Sequence, residues 1–193
     1  MGAITGYSSK DVGMSEKVHG DPESILGIPT TFLMRDILQY DNNTADALKR
    51  ITEAERTTAV WLGIGDPSNF YIVDYYKNDV YDWRNYTNYG HIITEDFVYT
   101  TEHEDGCFLE LYERFYGNIT AENVVRYFIP MEKTGDMHSA VYDMAKRQMY
   151  IATSTALDEQ GKFEPSWSQP FLRLDLEPLF NMKNQKQNTY LRT

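Results

Sequence analysis

Two short runs of the sequence contain side chains that suit amide chemistry. Asn88 lies in YTNYGH, residues 86–91, and its side-chain amide donates two hydrogen bonds without carrying a charge, which suits a developing oxyanion. The alternative is that Asn88 only forms the turn after a strand, and the residues by themselves favour that turn. Glu16 lies in GMSEK, residues 13–17. An inward-facing Glu16 would orient an amine or an attacking group, whereas an outward-facing one is a surface carboxylate beside Lys17.

The thiol and imidazole groups give weaker indications of chemistry. Cys107 is the only cysteine of the chain, and it lies near a predicted helix start, which favours a thiolate. Acidic residues precede it and would disfavour the thiolate, so a structural thiol packed under the helix is favoured over a nucleophile. His103 lies in TEHEDG among acidic residues, where a solvated loop is favoured over a metal site. The sequence therefore predicts neither a metal nor a cofactor.

Composition excludes several classes of protein. The 193 residues include 18 Lys and Arg against 29 Asp and Glu, for a net charge of −11. Such a chain repels phosphate backbones and anionic lipids, so nucleic-acid binding is disfavoured. The sequence contains no G-x-S-x-G, H-E-x-x-H, P-loop or G-x-G-x-x-G motif. No apolar run is long enough to predict a transmembrane segment, and residues 1–18 do not resemble a signal peptide.

Three sequons for N-glycosylation are present, beginning at Asn42, Asn85 and Asn118. A chain of this composition contains roughly one or two such sequons by chance, so the excess is small. It favours a secretory or lysosomal route without establishing one.

The elements that must position these residues follow from hydrophobic periodicity. A 3.6-residue period predicts helices at residues 30–41, 44–55, 107–117 and 118–130. Alternation predicts an opening hairpin over 3–18, strands at 59–65, 69–76 and 79–90, a hairpin over 138–154 and a last strand at 169–180. This order predicts a single α+β domain over 1–193, with mostly antiparallel sheets and helical layers.

Several details of the helices are predicted from individual residues. Thr30 or Thr31, Thr44 and Thr120 are the predicted N-caps, because a threonine hydroxyl accepts a bond from the first turn. Leu33, Ile37 and Tyr40 are expected to share the buried face of the first helix. The fourth helix is expected to end before Pro130, which cannot donate a backbone hydrogen bond.

Eight runs of the sequence resemble one family in their order along the chain. These runs are GAITGYSSKDVGMSEK, GIPTTFLMRDILQYDNNTADALKRI, AVWLGIG, NFYIVDYY, YTNYG, YGNITAENVVRYF, TGDMHSAVYDMAKRQMYIA and QPFLRLDLEPLF. They resemble the N-terminal-nucleophile amide hydrolases of the acid ceramidase, N-acylethanolamine amidase and penicillin acyltransferase type. The resemblance implies an αββα sandwich and attack on a linear amide by a processed N-terminal Cys that uses its own α-amino group as base. It also implies an oxyanion donor at Asn88 and an active-site carboxylate at Glu16.

The chain departs from the family at the nucleophile. In the family, the nucleophilic Cys lies before the region resembled here, and so do the Arg and Asp that follow it. Cys107 matches no nucleophile position. Ser8 stands where relatives often have Asn. The resemblance therefore predicts the C-terminal portion of such a domain, without the nucleophile strand, and predicts that the 193 residues alone are inactive. The expected partners are a small-molecule or lipid amide substrate and the missing N-terminal segment or subunit. The expected location is lysosomal or extracellular, and the alternative function is a non-catalytic binding or interaction module.

Overall fold

The structure is a computed structural model that describes residues 2–22, 26–82, 92–93, 98–99 and 106–182. The chain divides into two compact units, residues 1–102 and residues 103–193. Both combine helices with antiparallel sheets, so the predicted α+β class is confirmed.

The first unit is built on a five-stranded antiparallel sheet whose order is β1-β2-β3-β4-β5. Two helices are inserted between β2 and β3, and a two-stranded ribbon follows β5. The elements are β1 (Thr5–Tyr7), β2 (Gly13–Pro22), α1 (Thr30–Tyr40), α2 (Thr44–Glu53), β3 (Thr58–Asp66), β4 (Asn69–Tyr75), β5 (Val80–Asp82), β6 (Ile92–Ile93) and β7 (Val98–Tyr99). The predicted opening hairpin and the paired strands around Asp66-Pro67-Ser68 are thus confirmed.

One face of this sheet packs against the two helices. Opposed residues of neighbouring antiparallel strands point to the same face, and Leu62 of β3 lies opposite Val73 of β4. Both are fully buried, in one cluster with Leu33 and Ile37 of α1. Tyr40 does not share this face, because its side chain is exposed, and Met34 takes its place.

The N-termini of both helices differ from the prediction. Pro29 precedes α1 without any side-chain cap. Asn43 caps α2 by accepting the Asp46 N–H at 2.9 Å, so the cap lies one residue before Thr44. Asn43 has extended backbone geometry, which an N-cap requires, whereas Thr44 is already inside the helix and bonds elsewhere.

The second unit contains helices and a three-stranded antiparallel sheet of order β12-β9-β8. The predicted hairpin over 138–154 is confirmed as β8 and β9 of this sheet. The elements are α3 (Gly106–Phe115), α4 (Ala121–Asn123), a π-helical turn (Val124–Phe128), α5 (Ile129–Glu132), β8 (His138–Asp143), β9 (Gln148–Thr153), β10 (Thr155–Ala156), β11 (Phe163–Glu164), a 3₁₀ turn (Ser166–Ser168), β12 (Leu172–Asp175) and α6 over residues 176–182.

Two boundaries in the second unit were predicted wrongly. The helical run from residue 121 does not end before Pro130 but continues to Glu132. In the π-helical turn the Ile129 N–H bonds to the Val124 carbonyl five residues back, so Pro130 falls in the first turn of α5, where no N–H is needed. The last strand is also shorter than predicted, since the chain turns into α6 at Leu176, whose N–H donates to the Arg147 carbonyl.

Aromatic rings contact one another in the helical part of the second unit. Phe108 and Phe128 meet edge to face with ring centroids 5.3 Å apart, and Phe115 stacks on Tyr127 at 5.1 Å.

Thr120 caps α4 as predicted, accepting the Asn123 N–H.

Candidate functional site

Glu16 lies on the helix-covered face of the first sheet. It is directly opposite Leu62 in the antiparallel pairing of β2 with β3, and Met14 precedes it on the same face, opposite Ile64. Met14, Leu62 and Ile64 are almost completely buried. The sequence alternation of β2 therefore places a carboxylate where its neighbours on both strands are core residues.

The carboxylate of Glu16 has no polar partner within the described part of the chain. Its side chain is half-buried, and it takes part in no hydrogen bond or ion pair there. Burial raises the pKa of the Glu16 carboxyl above its ordinary value, because desolvation disfavours the charged form. A carboxylate that is neither exposed nor paired is costly to keep, which makes it a candidate for function.

The neighbouring Lys17 faces the opposite side of the sheet. Its ammonium group lies 5.1 Å from the centroid of the Trp61 ring, and Lys17 and Trp61 are opposed in the β2–β3 pairing. Glu16 is therefore not a surface carboxylate that shares one face with Lys17.

The β1–β2 hairpin holds Glu16 in position. The Glu16 N–H donates to the Ile4 carbonyl at 3.2 Å, which extends the pairing beyond β1. At the tip, the buried Ser8 hydroxyl accepts the N–H groups of Lys10 and Val12, both at 3.2 Å. Ser8 therefore organises the turn between the strands, a common use of a serine hydroxyl.

The helix α1 is tied to the same hairpin. The Lys10 ammonium donates to the Tyr40 carbonyl at 2.8 Å, at the C-terminal end of α1, where a cation is favoured. At the other end, the Ala3 N–H donates to the Thr31 carbonyl at 2.7 Å. The hairpin that carries Glu16 and the helix that covers it are thus joined at both ends of the helix.

The remaining predicted residues are less informative. Asn88, His91 and His103 lie outside the described residues. Cys107 is the second residue of α3, as expected for a thiol near a helix start, but its side chain is outside what the structure describes. His138 begins β8 and is half-buried, and burial lowers the pKa of its imidazole.

Two charged residues that join elements of the first unit were not predicted from the sequence. Asp66 accepts the N–H and the hydroxyl of Thr44 at 3.0 and 2.7 Å, and the N–H groups of Ser68 and Asn69. Burial alone would raise the pKa of Asp66, but these four bonds lower it to about 2. The Asp-Pro-Ser-Asn run is a typical turn sequence that signals the local bonds, but nothing in it signals the contact to Thr44.

Arg56 is the second of these residues, and its side chain is buried. Its Nε donates to the Tyr76 carbonyl at 2.6 Å, and its Nη1 donates to the Thr52 carbonyl at 2.9 Å. It thereby joins the C-terminal end of α2 to the end of β4. No local sequence pattern predicts this role, because it depends on a loop returning to the helix.

Among the described residues, no group of three or more His, Cys, Asp or Glu side chains is arranged to hold a metal ion. In the same part of the chain, no helix has the length and apolar character needed to span a bilayer.

Comparison with known proteins gives two relatives. Protein dcd1B of Dictyostelium discoideum is 31% identical over 205 residues, which cover 94% of this chain and 41% of that protein. Protein dcd1A of the same organism is 29% identical over 208 residues, covering 94% of this chain and 46% of that protein. The chain thus spans less than half the length of these curated relatives. No protein-family profile matches the chain.

Proposed function

We propose that this chain is part of an N-terminal-nucleophile hydrolase or acyltransferase that acts on linear amides. The observation that carries the proposal is the unpartnered carboxylate of Glu16 on the helix-covered face of an antiparallel sheet. The order of strands and helices in the first unit is compatible with half of an αββα sandwich. The proposal extends the confirmed α+β class to that specific fold.

The proposed nucleophile is a cysteine outside these 193 residues. Its sulfur forms a bond to the amide carbonyl carbon, the C–N bond breaks, and the amine leaves after taking the proton that the thiol gave to the α-amino base. Water then attacks the thioester, releasing the acid and restoring the thiol. Asn88 donates to the oxyanion in both steps, and Glu16 orients the amine by accepting its hydrogen bonds.

The proposed substrate is an N-acylated amine, either a small molecule or a lipid such as a ceramide. Such a substrate presents one neutral carbonyl and an apolar chain, which suits a site between apolar side chains. A lysosomal or extracellular location is part of the proposal and is supported by the sequons.

A covalent acyl-enzyme tests this mechanism directly. The product of the complete coding region is mixed with an N-acyl substrate, quenched in acid and digested, and peptide masses locate the acyl group. We expect the acyl group on a cysteine other than Cys107, and we expect Cys107→Ala to label as well as the parent protein. Acylation of Cys107 itself, or loss of label in Cys107→Ala, would show that the proposed nucleophile is wrong.

Asn88→Ala tests the oxyanion donor. Removing one such donor lowers kcat by about 10²–10³, with little change in KM, because the bond strengthens as charge develops. If Asn88 only forms a turn, the free energy of unfolding falls by about 1 kcal/mol and kcat stays near that of the parent. Kinetics and thermal melting of this one variant separate the two roles.

The alternative function is a non-catalytic binding or interaction module built on the same fold. It predicts that the complete protein forms no acyl-enzyme and turns over no N-acyl substrate. The labelling experiment therefore also distinguishes the two classes of function.

A further inference from the structure

The sequon at Asn118 lies in a tight, exposed turn of the second unit. The Asn118 N–H donates to the Phe115 carbonyl at 2.8 Å, closing a four-residue turn after α3. The Asn118 carbonyl accepts from Asn123 Nδ2 at 3.1 Å. Both backbone groups are thus engaged, and the position of the residue is fixed.

The side chain of Asn118 is available for modification. It is exposed, and within the described part of the chain its amide takes part in no hydrogen bond. Gly117 beside it has φ +71°, and a Cβ placed there would meet no atom within 4 Å. The turn is therefore open to solvent on the side of Gly117.

An exposed aromatic ring occupies the same turn. Tyr116 is 58% exposed, and its ring meets Tyr112 edge to face, with centroids 5.5 Å apart. Aromatic faces pack well against apolar groups such as the C–H face of a sugar. An attached sugar would therefore cover a large side chain that is otherwise exposed to solvent.

The sequon at Asn42 differs in its side-chain contacts. Asn42 is also exposed, but its N–H and its Nδ2 both donate to Asp46 Oδ2 at 3.2 Å, in the first turn of α2. A glycan on Nδ2 would have to be accommodated against that turn. The two sequons are thus matched in sequence and exposure and differ in the engagement of the amide.

We infer that Asn118 is an N-glycosylation site and that Tyr116 packs against its first sugar. The donor is a polyprenyl-diphosphate-linked oligosaccharide of the secretory route. Asn118 Nδ2 forms a bond to C1 of the first sugar while the bond from C1 to the diphosphate oxygen breaks. The diphosphate leaves with that electron pair, and one amide proton passes to a base of the transferase. This inference rests on the proposed secretory route, but not on the proposed amidase activity.

The test uses the protein from its native cells. An amidase that removes N-glycans is applied in ¹⁸O-labelled water, which converts each glycosylated Asn to labelled Asp. Trypsin then releases one peptide of residues 115–126, which contains Asn118, and one of residues 36–49, which contains Asn42. We expect labelled Asp at residue 118 in most copies. An Asn118 that is unmodified in the native protein would overturn the inference, whatever the cause.

Variants expressed in cells of the same kind give the second readout. Asn118→Gln should lose one glycan-sized step in electrophoretic mobility, and Thr120→Ser should keep it, because serine preserves both the sequon and the hydroxyl that caps α4. Asn42→Gln is the matched control and should keep the Asn118 step. Tyr116→Ala should remove the gain in melting temperature that the Asn118 glycan provides, and an unchanged gain would contradict the packing of the sugar on Tyr116.

Discussion

The buried polar groups that have hydrogen-bond partners are bonded differently in the two units of the molecule. The first unit uses charged side chains: Arg56 donates to backbone carbonyls, Asp66 accepts from backbone N–H groups, and Arg50 pairs with the buried Asp41. The second unit uses hydroxyls, since the Ser139 and Ser166 Oγ atoms lie 2.8 Å apart and are both buried.

This difference makes Glu16 stand out within its own unit. The buried charges Arg56 and Asp41 are each satisfied by several hydrogen bonds, as is the carboxylate of Asp66. The carboxylate of Glu16 has no partner in the described part of the same unit. A unit that pairs its other buried charges so completely does not need an unpaired carboxylate for stability, which is why we propose a functional role for Glu16.

The largest effect on stability is expected at Arg56. Arg56→Met fills a similar volume but leaves the Tyr76 and Thr52 carbonyls without their donor, so the free energy of unfolding should fall by about 3 kcal/mol. Urea unfolding measures the loss. Arg35→Met is the control, because Arg35 pairs with Asp36 at the surface and contacts only the exposed Phe32 ring besides, among the described residues, and its cost should stay below about 0.5 kcal/mol. Equal losses in the two variants would mean that the carbonyl contacts of Arg56 contribute little.

The pH dependence of the first unit is expected to reflect Asp66. Its folded pKa of about 2 lies below its ordinary 3.8, so its contribution is complete above the ordinary value and is lost as pH falls through the folded value. Allowing for solvent screening, this amounts to about 1–2 kcal/mol. Urea unfolding across this acid range should show the loss in the parent protein and not in Asp66→Asn. Asp36→Asn should lose stability at acid pH as the parent protein does. The same loss in Asp66→Asn would contradict the assignment to Asp66.

The smallest effect is expected in the hydroxyl pair of the second unit. Ser166→Ala leaves the Gly135 carbonyl without the hydroxyl that bonds it, while Ser139 still donates to the Thr134 carbonyl at 2.9 Å. The expected loss is about 1 kcal/mol, as for one neutral hydrogen bond. Ser168→Ala, which removes an exposed hydroxyl, should be close to neutral. A loss at Ser166 as large as that at Arg56 would remove the contrast between the units.

Much of the fold could be predicted because periodicity records which face of an element is buried. Leu33 and Ile37 marked α1, and the alternation around Leu62 marked β3. The predicted helix ends were wrong where a shift of one or a few residues changes which residue suits a position. The π-helical turn places Pro130 in the first turn of α5, where proline is tolerated, and Asn43, not Thr44, caps α2.

The candidate site was only partly predictable, for a physical reason. The sequence marked Glu16 as a candidate, but its lack of a partner depends on β2 and β3 pairing in one register, which places it opposite Leu62. The contact of Asp66 with Thr44 and the contacts of Arg56 join distant residues, and no local pattern encodes them.

The most direct test of the account compares Glu16→Gln with Glu53→Gln in the complete protein. Both variants replace a carboxylate by an amide, but Glu53 is exposed, with only a 4.0 Å contact to Lys49. Because the carboxylate of Glu16 is half-buried and unpaired, Glu16→Gln should raise the free energy of unfolding at neutral pH, by less than about 1 kcal/mol once solvent screening is allowed for. It should also lower kcat/KM on N-acyl substrates by about 10²-fold, whereas Glu53→Gln should change neither quantity. A Glu16→Gln variant that keeps parental turnover, or that is less stable than the parent, would contradict a functional role for this carboxylate.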